Sequence, residues 1–163
     1  DLDYEFSINL SYHDLLDREL TQFIFEKLKT YQVGERLIFE ILECDGIDNY
    51  NEVRLFIDKA KGFGCKIAID DFGTGYSNFE HLLRLNVDLI KIDGSLIRNL
   101  NDDQSAIIVT RGVVQFARSL GIKTVAEFVH CEAVQKQVQA LGIDFSQGAY
   151  FSMPKAELVE TQS

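Results

Sequence analysis

Six short apolar runs, rich in β-branched and aromatic residues, recur along the chain, and a stretch with helical periodicity separates each from the next. The runs are Phe6 to Leu10, Arg36 to Ile41, Cys65 to Ile69, Asp88 to Ile92, Lys123 to Ala126 and Ile143 to Phe145. Regular alternation of strand and helix dictates a parallel sheet with right-handed crossovers. Two architectures accommodate it: an open doubly wound sheet, or part of a (β/α) barrel. The polar residues choose between them. In order, the runs end at Asn9, Glu40, Asp70 with Asp71, Lys91 with Asp93, Glu127 and Gln147. A barrel gathers all of those ends at one mouth, whereas an open sheet strings them along an edge too wide for cooperation. The expected fold is therefore an α/β, TIM-like (β/α) barrel. Such barrels take eight strands and roughly 200 to 250 residues. With 163 residues and six predicted units, the chain reads as an incomplete barrel lacking its first two strand-helix units. Residues 1–163 then form a single domain, the C-terminal two-thirds of the barrel.

The helices are expected over residues 12 to 29, 47 to 62, 104 to 120 and 132 to 141, each with an apolar stripe. A shorter one opens at the capping box Ser77-x-x-Glu80 and carries Leu82, Leu83 and Leu85. A weak terminal helix follows Pro154. The formal net charge of -10 argues against DNA or RNA partners, which need a basic face. No apolar run reaches bilayer-spanning length. Cys44, Cys65 and Cys131 are odd in number and widely spaced, which suits a reduced cytoplasmic setting; a membrane-anchored parent remains compatible with it. Cys65 reads as core packing.

Chemistry concentrates in residues 65 to 93. Asp70 and Asp71 stand where the third strand is expected to stop, and adjacent carboxylates in a dry site need a counter-charge. A divalent cation supplies it; the plainer alternative is a pair of Asp capping a turn. With the other strand ends at the same mouth, the metal reading gains. Asn9, Glu40, Asp70 and Glu127 can ligate one ion, and Asp71 a second, as in two-metal phosphoesterases. All-oxygen ligation favours Mg²⁺ or Mn²⁺ over zinc. Lys91 can hold an attacking water and offset phosphate charge. Glu43 either anchors the following glycine loop or is a simple loop carboxylate. Gly73 and Gly75 give that loop its flexibility, because the G-T-G sequence is too weak a pattern for a phosphate cradle. His13, His81 and His130 lack the partners that metal-ligand spacing requires.

Read together, these segments resemble the EAL family of bacterial cyclic di-GMP phosphodiesterases over nearly the whole chain. INLS at 8 to 11 resembles V-N-L-S, and FEILE at 39 to 43 resembles L-E-I-T-E. IDDFGTGYSN at 69 to 78 is similar to D-D-F-G-T-G-Y-S-S, and KID at 91 to 93 is the same in both. VAEFVH at 125 to 130 resembles V-A-E-G-V-E, and DFSQGAYFSMP at 144 to 154 resembles D-x-x-Q-G-Y-x-x-x-x-P. The resemblance implies hydrolysis of one phosphodiester of cyclic di-GMP to the linear dinucleotide, with two Mg²⁺ or Mn²⁺ ions. It assigns metal ligation to Asn9, Glu40, Asp70 and Glu127, the second ion to Asp71, and water positioning to Lys91. It makes Gln147 and Asp93 polar groups of the site and Glu43 the loop anchor. It further implies a homodimer coupled to the Asp71–Ser77 loop and a sensor or diguanylate-cyclase domain in the parent chain. Three departures stand out: the E-A-L signature Glu is absent, Leu42 replaces a Thr, and His130 replaces a second Glu. A non-catalytic cyclic di-GMP receptor is the alternative reading.

Overall fold

The computed structural model describes residues 4–42, 50–73 and 79–156. These residues form six strands, seven α-helices and one 3-10 turn, Gly34–Arg36: β1 Phe6–Leu10, α1 Tyr12–Leu16, α2 Arg18–Tyr31, β2 Leu37–Leu42, α3 Tyr50–Gly62, β3 Lys66–Phe72, α4 Phe79–Arg84, β4 Leu89–Ile92, α5 Gly94–Arg98, α6 Gln104–Ser119, β5 Lys123–Ala126, α7 Glu132–Leu141 and β6 Phe145–Ser146. The strands pair in the order β1-β2-β3-β4-β5-β6, and every pairing is parallel. A doubly wound sheet reverses its order at a switch point. This sheet never does, so right-handed crossovers put every helix on the same side, the winding of a TIM-like barrel.

That outer layer is where most of the core lies. Val53, Phe56, Ile57 and Ala60 of α3, Val113 and Ala117 of α6, and Val134 and Val138 of α7 are buried against Ile67, Ile90 and Ile92 of the sheet. Period-2 alternation explains the strands: in β4, Ile90 and Ile92 face one way and Lys91 the other. Cys65 is buried among the apolar side chains, as its neighbours predict.

Three boundaries differ from the sequence reading. The helix expected over residues 12 to 29 is two helices, because Asp17 leaves the helical region (φ -74°, ψ 107°) and its carboxylate accepts from Glu19 N and Leu20 N, starting α2 afresh. β3 does not stop at Ile69 but continues through both aspartates to Phe72. Helix α5, absent from the sequence reading, follows β4 directly, with Asp93 as its cap accepting from Ser95 N at 2.7 Å. Leu83 is largely exposed, while Leu82 and Leu85 are buried as expected. Glu43, Gly75, the Ser77 cap and the terminal helix lie outside the described residues.

The N-terminal ends of the strands are pinned by two equivalent devices. Asp88, just before β4, accepts from Ile67 N of β3 at 2.9 Å and pairs with Lys61 at 2.6 Å. Asp144, just before β6, accepts from Thr124 N and Thr124 Oγ1 of β5, each at 3.0 Å, and pairs with Lys123 at 2.6 Å.

Candidate active site

A regular strand sends neighbouring side chains to opposite faces, so Asp70 and Asp71 should part. The β3–β4 register instead shifts between Ile69 and Phe72. At that irregularity Asp71 adopts φ 56°, a left-handed conformation that Asp tolerates better than most residues. As a result, oxygen atoms of Asp70, Asp71 and Glu127 all lie within 4.8 Å of one another. Gly73, at φ 108°, carries the chain away, and a Cβ there would come within 2.7 Å of Leu96 Cδ1.

At the centre sits Lys91, buried on β4. Its ammonium lies 2.6 Å from Glu40 Oε2, 2.9 Å from Asp70 Oδ1 and 3.0 Å from Glu127 Oε1. Burial alone would push this ammonium down, but the hydrogen bonds it donates to three carboxylates outweigh it and hold the group above the ordinary lysine value. Glu127, buried at the end of β5, is held above the ordinary carboxylate range by burial, which Lys91 only partly offsets. Gln147 Nε2 donates to Glu127 Oε1 at 2.7 Å and fixes the orientation of that carboxylate.

A second carboxylate pair continues the site outward. Desolvation of its head group, then the charge of Asp70, then a hydrogen bond to Asp93 raise Asp71 above the usual carboxylate range. Asp93 goes the other way. Burial opposes its charge, but the Ser95 bonds, the hydrogen bond with Asp71 and the Arg98 guanidinium keep it low. A carboxylate pushed up by burial and by the charge of its neighbour marks a site with more negative charge than its cations neutralise.

The structure thus brings together Glu40, Asp70, Asp71, Lys91, Asp93, Glu127 and Gln147. Asn9 is level with Glu40 across the β1–β2 pairing but is exposed on the edge strand. His13 and His130 are exposed and stand outside the carboxylate cluster. Two residues of the rim were not singled out from the sequence, Arg98 and Phe128. Phe128 directly follows Glu127 and stands where the resembling motif has Gly, which is the one signal that marked it. All-oxygen donors of this density fit a divalent cation such as Mg²⁺ or Mn²⁺, since three ligand carboxylates converge and only one ammonium balances them.

A sequentially wound parallel α/β sheet with a carboxylate-lysine centre at its C-terminal mouth defines the class as a barrel-type α/β fold with a cation-competent mouth. The chain belongs to the EAL domain family, whose profile matches residues 1–154. It is 35% identical over 159 residues to the cyclic di-GMP phosphodiesterase PdeF of Escherichia coli K12, covering 97% of this chain and 21% of PdeF. The chain therefore spans about a fifth of the length of the curated relatives it matches. Among solved structures it is similar to a PaMucR phosphodiesterase in complex with c-di-GMP, with TM-score 0.84 and 30% identity, covering 92% of this chain and 61% of that one. It is also similar to Klebsiella pneumoniae BlrP1 in a manganese and cyclic di-GMP complex, with TM-score 0.80 and 28% identity, covering 90% and 38%.

Proposed function

We propose that this chain carries the metal-dependent hydrolysis of one phosphodiester of cyclic di-GMP, giving the linear dinucleotide. The observation that carries the reading is the convergence of Glu40, Asp70 and Glu127 on the buried Lys91, with Asp71 alongside. Asn9, Glu40, Asp70 and Glu127 would hold one ion and Asp71 the second. When bound, Mg²⁺ or Mn²⁺ supplies charge neutralisation at the phosphate and a water made nucleophilic near neutral pH.

The chain's own residues do the rest. Lys91 keeps its proton throughout the physiological range, so it acts as a fixed positive donor that orients a water and offsets phosphate charge, not as a base. Gln147 holds Glu127 in one rotamer, and the hydrogen bond with Asp93 orients Asp71. Glu43, outside the described residues, is proposed to anchor the loop that carries Gly73 and Gly75.

The similarity to PdeF, a cyclic di-GMP phosphodiesterase, and to a PaMucR phosphodiesterase with c-di-GMP bound supports the substrate. A reduced cytoplasmic setting, a homodimer coupled to the loop after Asp71, and a parent with a sensor or diguanylate-cyclase domain complete the proposal. So does the assignment of residues 1–163 to the C-terminal two-thirds of one barrel domain.

The test is incubation with cyclic di-GMP and Mg²⁺ or Mn²⁺, following both ligand binding and the linear product. Product that disappears with EDTA and with Asp70→Asn supports the reading. The alternative reading is a receptor that binds cyclic di-GMP without turnover. Saturable binding with no product under either ion would establish it.

A further inference from the structure

On the outside of the helical layer, between α2 and the end of α3, runs an open groove of about 480 Å³. Arg18, Gln22, Phe25 and Lys29 line it from α2, and Lys59 and Phe63 face them from the other side. The α2 residues are spaced four, three and four apart, so they form one stripe along the helix. At the rise of an α-helix, the stripe from Arg18 to Lys29 is about 16 Å long. Its floor is aromatic: the buried Phe25 ring stacks on Phe63, with centroids 6.0 Å apart and planes 21° from parallel.

The charges around that floor run against the rest of the chain. The formal net charge is -10, yet Arg18, Lys29 and Lys59 line the groove against one carboxylate, Glu26, which accepts from Gln22 Nε2 at 2.9 Å. Among the described residues none of these three cations has an ion pair, whereas Lys61, Lys91, Lys123 and Lys136 all do. Lys59 instead sits over the Phe25 ring, 4.1 Å from its centroid. The helix dipole explains Lys29 and Lys59, each in the last turn of its helix. It works against Arg18, the first residue of α2, whose charge meets the positive end of the helix. A cation at that position weakens the helix unless an anion meets it.

We propose that this groove docks an acidic amphipathic helix of a partner protein, its apolar ridge on Phe25 and Phe63 and its carboxylates on Arg18, Lys29 and Lys59. Length decides the class of occupant. Arg18 and Lys29 stand about three turns apart, so a single phosphate suits one of them, whereas a helix carries carboxylates at both distances. Shape decides against a membrane surface: the aromatic rings form the floor below the charged tips, where they cannot enter a bilayer that the cations touch. A third helix laid along two others also continues the ridge-and-groove packing of the outer layer. None of the lining residues belongs to the carboxylate mouth, so the inference stands independently of the cyclic di-GMP reading.

The test follows fluorescence anisotropy of a labelled helical peptide of roughly four turns, with leucine along one stripe and glutamate on both of its flanks. A second peptide has glutamine in place of every glutamate. The wild type binds the glutamate peptide, and the glutamine peptide binds roughly 3- to 100-fold more weakly, the loss of three exposed ion pairs. The combined variant Arg18→Gln, Lys29→Gln, Lys59→Gln shows the same loss and keeps its circular dichroism, since all three side chains are exposed. Thr21→Trp, on the same wall, fills the groove, keeps every charge and abolishes binding. Lys136→Gln, on α7, has no effect. A wild type that binds neither peptide overturns the inference, as does a folded triple variant or Thr21→Trp chain that binds like the wild type. Equal loss from Lys136→Gln overturns it too, because charge alone then attracts the peptide. So does displacement of the peptide by inorganic pyrophosphate at micromolar concentration, which makes the groove a small-anion site. Capture by phosphatidylserine vesicles that the triple variant loses and Thr21→Trp keeps assigns the cations to a membrane and likewise overturns it.

Discussion

At the N-terminal ends of the strands, Asp88 and Asp144 each meet one lysine and one or two donors from the neighbouring strand. At the C-terminal ends, Glu40, Asp70, Asp71, Asp93 and Glu127 share Lys91 and Arg98. The residue types are the same; the balance differs. One-to-one pairing stitches strands together and leaves nothing for a ligand. Five carboxylates on two cations leave a net deficit of positive charge, which a divalent cation can fill. The lesson is that an acidic residue at a strand end says little until its counter-charges are counted. In this sheet, paired carboxylates sit at one end and under-neutralised ones at the other.

The comparison breaks most sharply at Lys91. Lys91→Met strands three carboxylates, two of them buried, and should cost about 3 to 5 kcal/mol in urea unfolding without divalent ions. Added Mn²⁺ should recover part of that loss; equal losses with and without Mn²⁺ would mean the cluster takes no cation. Next in size is Asp70→Asn, which keeps shape but removes a ligand charge. Even outer partners of metal ligands cost about 10- to 100-fold, so formation of the linear product should fall at least about 100-fold. Urea stability of Asp70→Asn in EDTA should fall far less than that of Lys91→Met.

At the opposite end, Asp144→Asn should cost about 1 to 2 kcal/mol through weakened bonds to Thr124 and Lys123, with hydrolysis kept. The sign of its pH dependence is fixed. Burial opposes the charge of Asp144, but its bonds to Lys123 and Thr124 hold it below the usual carboxylate range. Its contribution is therefore full at neutral pH and is lost as the pH falls below about 4. Urea midpoints of wild type and variant should diverge at pH 7 and approach each other near pH 3. The smallest effect belongs to Glu132, whose pair with Lys136 is exposed at i, i+4 on α7. Glu132→Gln should change stability by about 0.5 kcal/mol or less, a thermal shift barely above error.

The strand ends were legible because chemistry and periodicity agree there. Each apolar run could be only a strand, and each stopped on a polar residue that a barrel gathers at one mouth. β4 and β5 therefore fall within a residue of their predicted bounds. What was hidden depended on partners distant in sequence. The continuation of β3 through Asp70 and Asp71 contradicts both the low strand preference of Asp and the alternation rule, and only the irregular pairing with β4 permits it. The break at Asp17 was a local cap overruled by a longer apolar stripe. Helix α5 is five residues long, too short for periodicity to register. Arg98 and Phe128 meet only because Gly94 leaves room for the ring, and no spacing rule announces that meeting.

The irregularity in β3 has an evolutionary reading. A strand offers each face of the sheet every second residue, so two consecutive acids at one mouth need one residue more than the ladder can pair. Deleting either aspartate would restore regular alternation and turn every later side chain of the strand to its opposite face. Substitution is gentler: Asp71→Asn keeps the left-handed backbone, which asparagine also accepts. Single-base changes can therefore tune the second acid, while an insertion or deletion at this point is all or nothing. Length within the doublet should be the most constrained property of this segment, more so than the identity of any residue in the glycine loop that follows.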